Sequence, residues 1–330
     1  MSFFHIFSHS SYSLLEALPS IEGLVESAAQ AGMPALGLAD HHLLTGAVEF
    51  TLACQREGIQ PVIGLELDVR AGEKGRARLA LYAEDERGWS SLCQLSSQSQ
   101  LQAVPGSPLP PSALADKPGL VALLPVEVAS APMVGELAAL FPGCLYLGLS
   151  GAHAAGAELA ARLRLPLAAA PPVFALKAEG TPLLRTLAAI RKVCSLSALP
   201  AGELPPSGAL FLSAAEGQAR FSAYPQALAG LEELRQRCRG LPPIGRQHYP
   251  QLALPEGQTA LEALRQRAEA GAKRLYGKIT PEIQARLAHE LAVIGERGYE
   301  PIFLIVQEIL AYARQQGVPR ALQADVVIRR

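Results

Sequence analysis

The sequence predicts an α/β protein followed by a separate helical region, on three observations. Short apolar runs alternate with helical patterns through the first 200 residues. Hydrophobic residues make up 49% of the chain but aromatics only 5%, so the apolar content is mostly Ala and Leu. Beyond about residue 245 the periodicity is helical alone. Ala- and Leu-rich helices layered on a buried sheet suit such a composition. At 330 residues the chain has room for one large domain and a smaller one.

Ser20 caps a helix running to about Ala31, with Glu22 in its first turn; Gly32 ends it and Pro34 prevents a restart. Residues 35–39 form an apolar strand. A helix follows, with Ala47, Val48, Phe50 and Leu52 on or near its buried side, and Gly58 closes it. Strands are expected at 61–69 and 79–83, then a helix over 86–97. Residues 103–118 are rich in Pro, Gly and Ser and read as an exposed loop. Strands return at 120–124, 144–149 and 167–169, with helices over 126–140 and 152–163 between them. Such alternation implies parallel pairing with functional groups at the C-terminal strand ends. A barrel and an open doubly wound sheet both satisfy it. Residues 200–255, with Pro205–Pro206 and Pro242–Pro243, read as irregular, and a boundary is placed near 245–255. Beyond it, Leu261, Leu264, Ala268 and Leu275 form one helical stripe, and Leu287, Leu291 and Ile294 a second, entered through Thr280 and Pro281. A third helix spans 302–313, stopped by Gly317 and Pro319.

Composition narrows the function. The formal net charge of −1 shows no overall basic excess of the kind nucleic-acid binders carry. Cys54, Cys93, Cys144, Cys194 and Cys238 stand singly, without C-x-x-C spacing, so no zinc or redox motif is indicated. Scattered cysteines suit a reducing cytoplasm, which is the expected location. No secretory signal and no membrane span are expected.

The chemistry-bearing residues cluster at expected strand ends: His5 and His9, then Asp40-His41-His42, then Glu66. His and carboxylate groups after successive strands can converge on a metal ion and activate water for phosphoester hydrolysis. The same residues can also cap backbone groups or face solvent, and spacing alone leaves this open. His42 and His153 read as surface groups.

Three motifs, FSHSSYSLLEAL (7–18), LGLADHHLLTGAVEF (36–50) and IQPVIGLELDV (59–69), resemble the polymerase-and-histidinol-phosphatase (PHP) domain in order and spacing. The resemblance is to the version at the N-terminus of the bacterial DNA polymerase III alpha subunit and its error-prone relatives. It implies a distorted (β/α)7 barrel over 1–245, the helical start of the polymerase palm over 246–319, and an unmatched tail over 320–330. It implies that His9, His41 and Glu66 stand at metal-ligand positions, with Asp40 supporting them.

The departures from the family pattern bear on activity. Phe7 falls where the family has the first His of H-x-H, Pro172 and Phe174 fall on a later Asp and His, and Tyr146-Leu147-Gly148-Leu149 lacks a family carboxylate. With so few donors, no tightly bound cofactor is expected, only weak Zn²⁺, Mn²⁺ or Mg²⁺ at a vestigial site. Phe7 and Phe174 are expected to fill the space of the ions.

Residues 280–319, TPEIQARLAHELAVIGERGYEPIFLIVQEILAYARQQGVP, resemble the start of the family's palm through Arg286, Glu290, Gly298, Phe303, Leu304, Ile305, Val306 and Gly317. Glu308 replaces an Asp of that pattern and Ile302 a Tyr. The family's Gly-Arg-Gly-Ser phosphate loop, whose backbone N–H groups cradle a triphosphate, is expected next. Instead the chain reads Pro319-Arg320-Ala321-Leu322-Gln323-Ala324-Asp325. A frameshift, a disrupted gene and a split gene all fit. The resemblance therefore implies the N-terminal part of a DNA-directed DNA polymerase for replication or error-prone repair synthesis, without its nucleotidyl-transfer residues and with no catalytic residue expected here. A metal-dependent phosphoesterase or 3′-exonuclease, and a non-catalytic module that binds replication proteins, stand as alternatives. Expected partners are replication proteins or the remaining polymerase chain, with DNA bound weakly if at all. The apolar faces of the tail helices, including Ile302, Leu304, Ile305 and Ile309, are expected to promote association.

Overall fold

The computed structural model describes residues 2–71, 75–151, 153–206, 208–245 and 252–318. They fall into two compact units, Met1–Ile244 and Gly245–Arg330.

In the first unit, α1 (Ile21–Gln30) starts on Ser20, whose hydroxyl accepts the Gly23 N–H. It leads into β1 (Ala35–His41), α2 (Ala47–Arg56), β2 (Gln60–Ala71) and β3 (Gly75–Ala83). Then come α3 (Glu86–Gln100), β4 (Leu120–Pro125), α4 (Ala131–Leu140), β5 (Leu145–Leu149), α5 (Ala154–Leu163) and β6 (Leu167–Ala169). The strands pair in sequence order in one sheet. Pairing is parallel for β1–β2, β4–β5 and β5–β6 but antiparallel for β2–β3 and β3–β4. The uniformly parallel expectation is thus corrected. No helix-length segment separates β2 from β3, and a parallel return needs one.

The N-terminal residues close this sheet on itself. Gly37 and Ala39 N–H donate to the carbonyls of His5 (2.7 Å) and Ser8 (2.8 Å) on one side. On the other, His9 N–H donates to Val173 O and Val173 N–H to Phe7 O, both at 3.0 Å. Residues 3–9 therefore lie between β1 and the chain that follows β6, and the curled sheet becomes a barrel without a free edge there. The Tyr82 hydroxyl, fully buried, reaches across to donate to Ile6 O at 3.0 Å. Close approach dictates glycine at Gly37, where a Cβ would lie 2.0 Å from the Ile6 carbonyl oxygen.

Three further helices follow: α6 (Thr181–Lys192), α7 (Ala214–Arg220) and α8 (Pro225–Arg237). The region read as irregular thus contains α7 and α8. Pro225 opens α8 at its first turn, and the helix buries Ala227, Leu228, Leu231 and Leu234. Proline pairs on either side mask that stripe in the sequence. In α2 the buried residues are Ala47, Phe50, Thr51, Ala53 and Cys54, whereas Val48 and Leu52 face outward. The helix expected over 126–140 is interrupted, because Pro132 sits in the first turn of α4 and a 3-10 turn over Val126–Val128 precedes it.

The second unit contains α9 (Ala260–Tyr276), α10 (Pro281–Arg297) and α11 (Glu300–Gln315). Thr259 and Glu262 form a capping box at the start of α9, and Thr280 caps α10. Gly298, at φ 66°, ends α10 in the left-handed conformation. Ala263, Leu264, Leu291 and Leu304 form its core. Leu304, expected on an exposed face, is thus buried, while Ile302 and Ile309 are exposed. Pro319 and residues 320–330 lie outside the described residues.

Gly37→Ala is expected to force apart the seam between residues 3–9 and β1 and to lower stability by about 3 kcal/mol. Gly135→Ala, in α4 where a Cβ meets nothing within 4 Å, should be neutral or stabilising by up to about 1 kcal/mol. Urea denaturation of both variants reads the contrast.

Candidate metal centre

Strand register builds the site. Across β1 and β2, His41 pairs with Glu66, and across β2 and β3, Asp68 pairs with Arg78. Side chains two apart on a strand share a face, so Glu66 and Asp68 point together toward the barrel mouth, with Arg78 opposite one and diagonal to the other. The loop after residue 9 supplies the rest. Asp40, almost fully buried, accepts the Ser10 N–H (2.6 Å) and the hydroxyls of Ser10 and Ser13 (both 2.7 Å). Those bonds fix a turn in which Leu15 adopts φ 60°, and the turn presents Glu16 to the same mouth.

Three carboxylates and their cations meet there. Arg78 Nη1 lies 2.9 Å from Glu16 Oε2 and 3.2 Å from Glu66 Oε2, and its Nε lies 3.9 Å from Asp68 Oδ1. Arg191 Nη1 contacts Glu16 Oε1 at 2.7 Å. His41 Nδ1 bonds Glu16 Oε1 at 3.1 Å, and its Nε2 lies 3.6 Å from Asp68 Oδ2, an ion-pair distance rather than a hydrogen bond. Burial alone would raise the carboxyls of Glu16 and Asp68, but His41 and Arg78 hold both well below the usual carboxylate range. Glu66 is likewise lowered against its burial, by His9 and Arg78. Burial would lower His41, but Asp68 and Glu16 raise it to about 9.

The expected ligands are placed as follows. His9 Nε2 lies 3.3 Å from Glu66 Oε2. The His9 ring stacks on Phe174 at 4.2 Å and meets the edge of Phe7 at 4.9 Å. Both phenyl rings thus pack directly against the histidine. His41 turns instead to Glu16 and Asp68. His5 is remote from this network: Leu212 N–H donates to its Nε2 at 2.9 Å, and burial lowers it to about 4. His42, read as a surface group, is buried, with Nδ1 bonded to the Ser99 hydroxyl at 2.8 Å. Among the described residues, His41, His42 and Asp68 bring three donor atoms within 4.8 Å of one another. Sequence reasoning missed Glu16, Asp68 and Arg78. The available signal was the charge alternation Glu66-Leu67-Asp68 and Arg76-Ala77-Arg78 inside apolar strands.

Comparison with known proteins agrees with the sequence motifs. Residues 5–147 match the PHP domain, and 262–322 match the bacterial DNA polymerase III alpha NTPase domain. The chain is 32% identical over 334 residues to a DNA polymerase III subunit alpha of Halalkalibacterium halodurans, covering 95% of this chain and 30% of that one. It is 31% identical over 358 residues to an error-prone DNA polymerase of Symbiobacterium thermophilum, covering 96% and 32%. It is 28% identical over 347 residues to the DNA polymerase III subunit alpha of Bacillus subtilis, covering 96% and 30%. The chain thus spans 30 to 32% of the length of these relatives. Among solved structures, an amidohydrolase from Chromobacterium violaceum aligns over 51% of this chain and 86% of its own, with a TM-score of 0.37 at 13% identity.

The charge network sets a pH dependence. The raised His41 binds a proton more tightly folded than unfolded, so its contribution is complete below about 6.5 and is lost as pH rises toward 9. In chelator, stability should therefore fall across that window by at most about 1.4 kcal/mol per pH unit, and His41→Gln should flatten the slope. Acid below the carboxylate range should destabilise the fold separately, as the depressed Glu16 and Asp68 are protonated. Denaturation midpoints against pH read both limbs.

Proposed function

We propose that this chain, whose residues 5–147 match the PHP domain and 262–322 the bacterial DNA polymerase III alpha NTPase domain, is the N-terminal region of a DNA polymerase III alpha-like, DNA-directed DNA polymerase. Its process is replication or error-prone repair synthesis. The observation that carries this reading is the alignment of 95 to 96% of the chain with such polymerases. The domain assignment follows: a PHP-like barrel over 1–245, the start of the palm over 246–319, and a tail over 320–330. Nucleotidyl transfer belongs to the parts of those polymerases that this chain does not match. A cytoplasmic site of action follows from that role. The partners are the rest of the polymerase or other replication proteins. No helix among the described residues is long and apolar enough to cross a membrane.

Within that role the barrel acts as a support rather than a hydrolase. A cluster of divalent ions, when bound, supplies an activated water and charge stabilisation for phosphoester cleavage. Of the family-type ligand positions His9, His41 and Glu66, His9 is flanked by Phe7 and Phe174, and Glu66 is engaged by His9 and by the Arg78 guanidinium. That surrounding favours weak occupancy by Zn²⁺, Mn²⁺ or Mg²⁺ at the vestigial set. Asp40 serves the turn over residues 10–13 rather than an ion.

The 330-residue chain alone is expected to show neither primer extension nor manganese-dependent release of nucleotides. Primer extension by the chain alone would refute the first expectation; hydrolysis abolished by His41→Ala would refute the second. The polymerase assignment itself is tested by exchange. Residues 1–318, placed into the Halalkalibacterium halodurans polymerase in place of the matching region, should give a chimera that extends a primer. A folded chimera unable to bind primer-template or extend it would overturn the assignment.

A further inference from the structure

We propose that α3 is a self-pairing helix: its outer face meets the same face of a second copy of this chain, antiparallel and across a two-fold axis. The inference depends neither on the polymerase reading nor on the barrel mouth.

Two observations single out this face. Residues 88–115 contain no Asp, Glu, Lys, Arg or His. Surface helices ordinarily carry charge on their solvent side, and depletion of charge is what sets the centre of a protein interface apart from other surface. The face is also concave. α3 turns Ser91, Leu92, Leu95 and Ser99 into the barrel, and Ser90, Cys93, Gln94, Ser97, Gln98 and Leu101 line a shallow groove on its opposite side. Leu101 is 86% exposed there, and Val104, just beyond, is 67% exposed. The groove thus ends in apolar side chains that gain from leaving water.

The order of the lining residues says what fits. Residues three and four apart share one helix face, and along this one the small Ser90, Cys93 and Ser97 interleave with the larger Gln94, Gln98 and Leu101. Reversing the helix about the midpoint between Leu95 and Ser96 brings every small residue opposite a large one. Ser90 then faces Leu101, Cys93 faces Gln98 and Ser97 faces Gln94. A two-fold axis through that midpoint places a second copy in this register, and each contact occurs twice. Facing helices pack best when large and small side chains oppose one another. Parallel pairing would instead set Ser90 against Ser90 and Leu101 against Leu101, leaving a gap at one end and crowding the other.

Charge and hydrogen bonding agree with a copy as the occupant. An uncharged face offers nothing to an ionic partner, and it does not repel itself. Gln94 and Gln98 each carry donors and an acceptor, so they can bond the groups opposite once water is excluded. Lys117, at the rim, donates to Gln94 Oε1 at 2.9 Å, which leaves the Gln94 amide NH₂ to donate to the Ser97 hydroxyl of the second copy. α3 has 15 residues, a length of about 22 Å. One such face covers less than the roughly 800 Å² that each partner contributes to a stable interface. The pair is therefore reversible and concentration-dependent.

The test is sedimentation of the whole chain over a range of concentrations, where a monomer–dimer equilibrium is expected. Ser97→Arg, which sets a cation against Gln94 of the second copy and close to its own twin, should weaken dimerisation at least about 10-fold. Ser97→Ala should leave it unchanged, and circular dichroism checks that both variants fold. Ile309→Lys, on the exposed side of α11, should also leave it unchanged. Cross-linking reads the register. Gln98→Cys, oxidised, should give a disulfide-linked dimer through Cys93 of the second copy, and adding Cys93→Ser should abolish it. Within one copy the two thiols stand about 7.5 Å apart along the helix, too far for a disulfide. A chain that stays monomeric at every concentration would overturn the proposal and give the groove to another protein's helix. So would dimers insensitive to Ser97→Arg, dimers lost in Ile309→Lys, or a cross-link that is absent or survives Cys93→Ser.

Discussion

The pairing of Asp68 with Arg78 across β2 and β3 organises the barrel mouth. Three carboxylates, those of Glu16, Glu66 and Asp68, lie mostly out of water there, with side chains between 3 and 11% exposed. Unpaired carboxylates in such a place would be severely destabilising. Arg78 answers two of them at hydrogen-bond distance and the third at longer range, while Arg191 and a protonated His41 complete the neutralisation. The barrel mouth therefore carries fixed cations among its carboxylates. An internal guanidinium, unlike an ion, cannot dissociate, and it offers no coordination position for water.

That constraint extends to the chain's first residues. The strip 3–9 is held on both sides by backbone hydrogen bonds, and its side chains enter the interior beside β1 and the segment after β6. Phe7, two residues earlier on the same strip, and Phe174, from the segment after β6, both pack against the His9 ring. Apolar rings at these positions exclude water from that side of the mouth, which strengthens the His9–Glu66 pair. Asp40 contributes differently, gathering Ser10 and Ser13 so that Glu16 is delivered to His41 and both arginines.

Much of the architecture was legible because it depends on local signals. The α1 cap at Ser20, the apolar run of β1 and the Thr280–Pro281 entry to α10 each rest on a few adjacent residues. The antiparallel return of β3 and the helix α8 between proline pairs were not, since strand direction is set by the connection and α8 has a short stripe. At the mouth, motifs located His9, His41 and Glu66, but they say nothing about partners. Asp68 and Arg78 join the site through register, a property of two strands together. Glu16 joins through a turn whose left-handed Leu15 no composition rule announces. His42 was misjudged for the same reason: its burial depends on one dihedral, not on its neighbours' polarity.

The two halves of the mouth have opposite consequences for any cation that reaches it. On the Glu16–Glu66 side, a divalent ion must displace a guanidinium held by short contacts and by strand pairing, so the exchange gains little charge compensation and loses hydrogen bonds. On the Asp68 side, the groups facing one another are imidazole nitrogens and a carboxylate at 3.6 and 3.8 Å, too long to bond each other well, so that half is held more loosely than the guanidinium half. Register and ring orientation at the mouth are thus fixed by the fold's own ion pairs and hydrogen bonds.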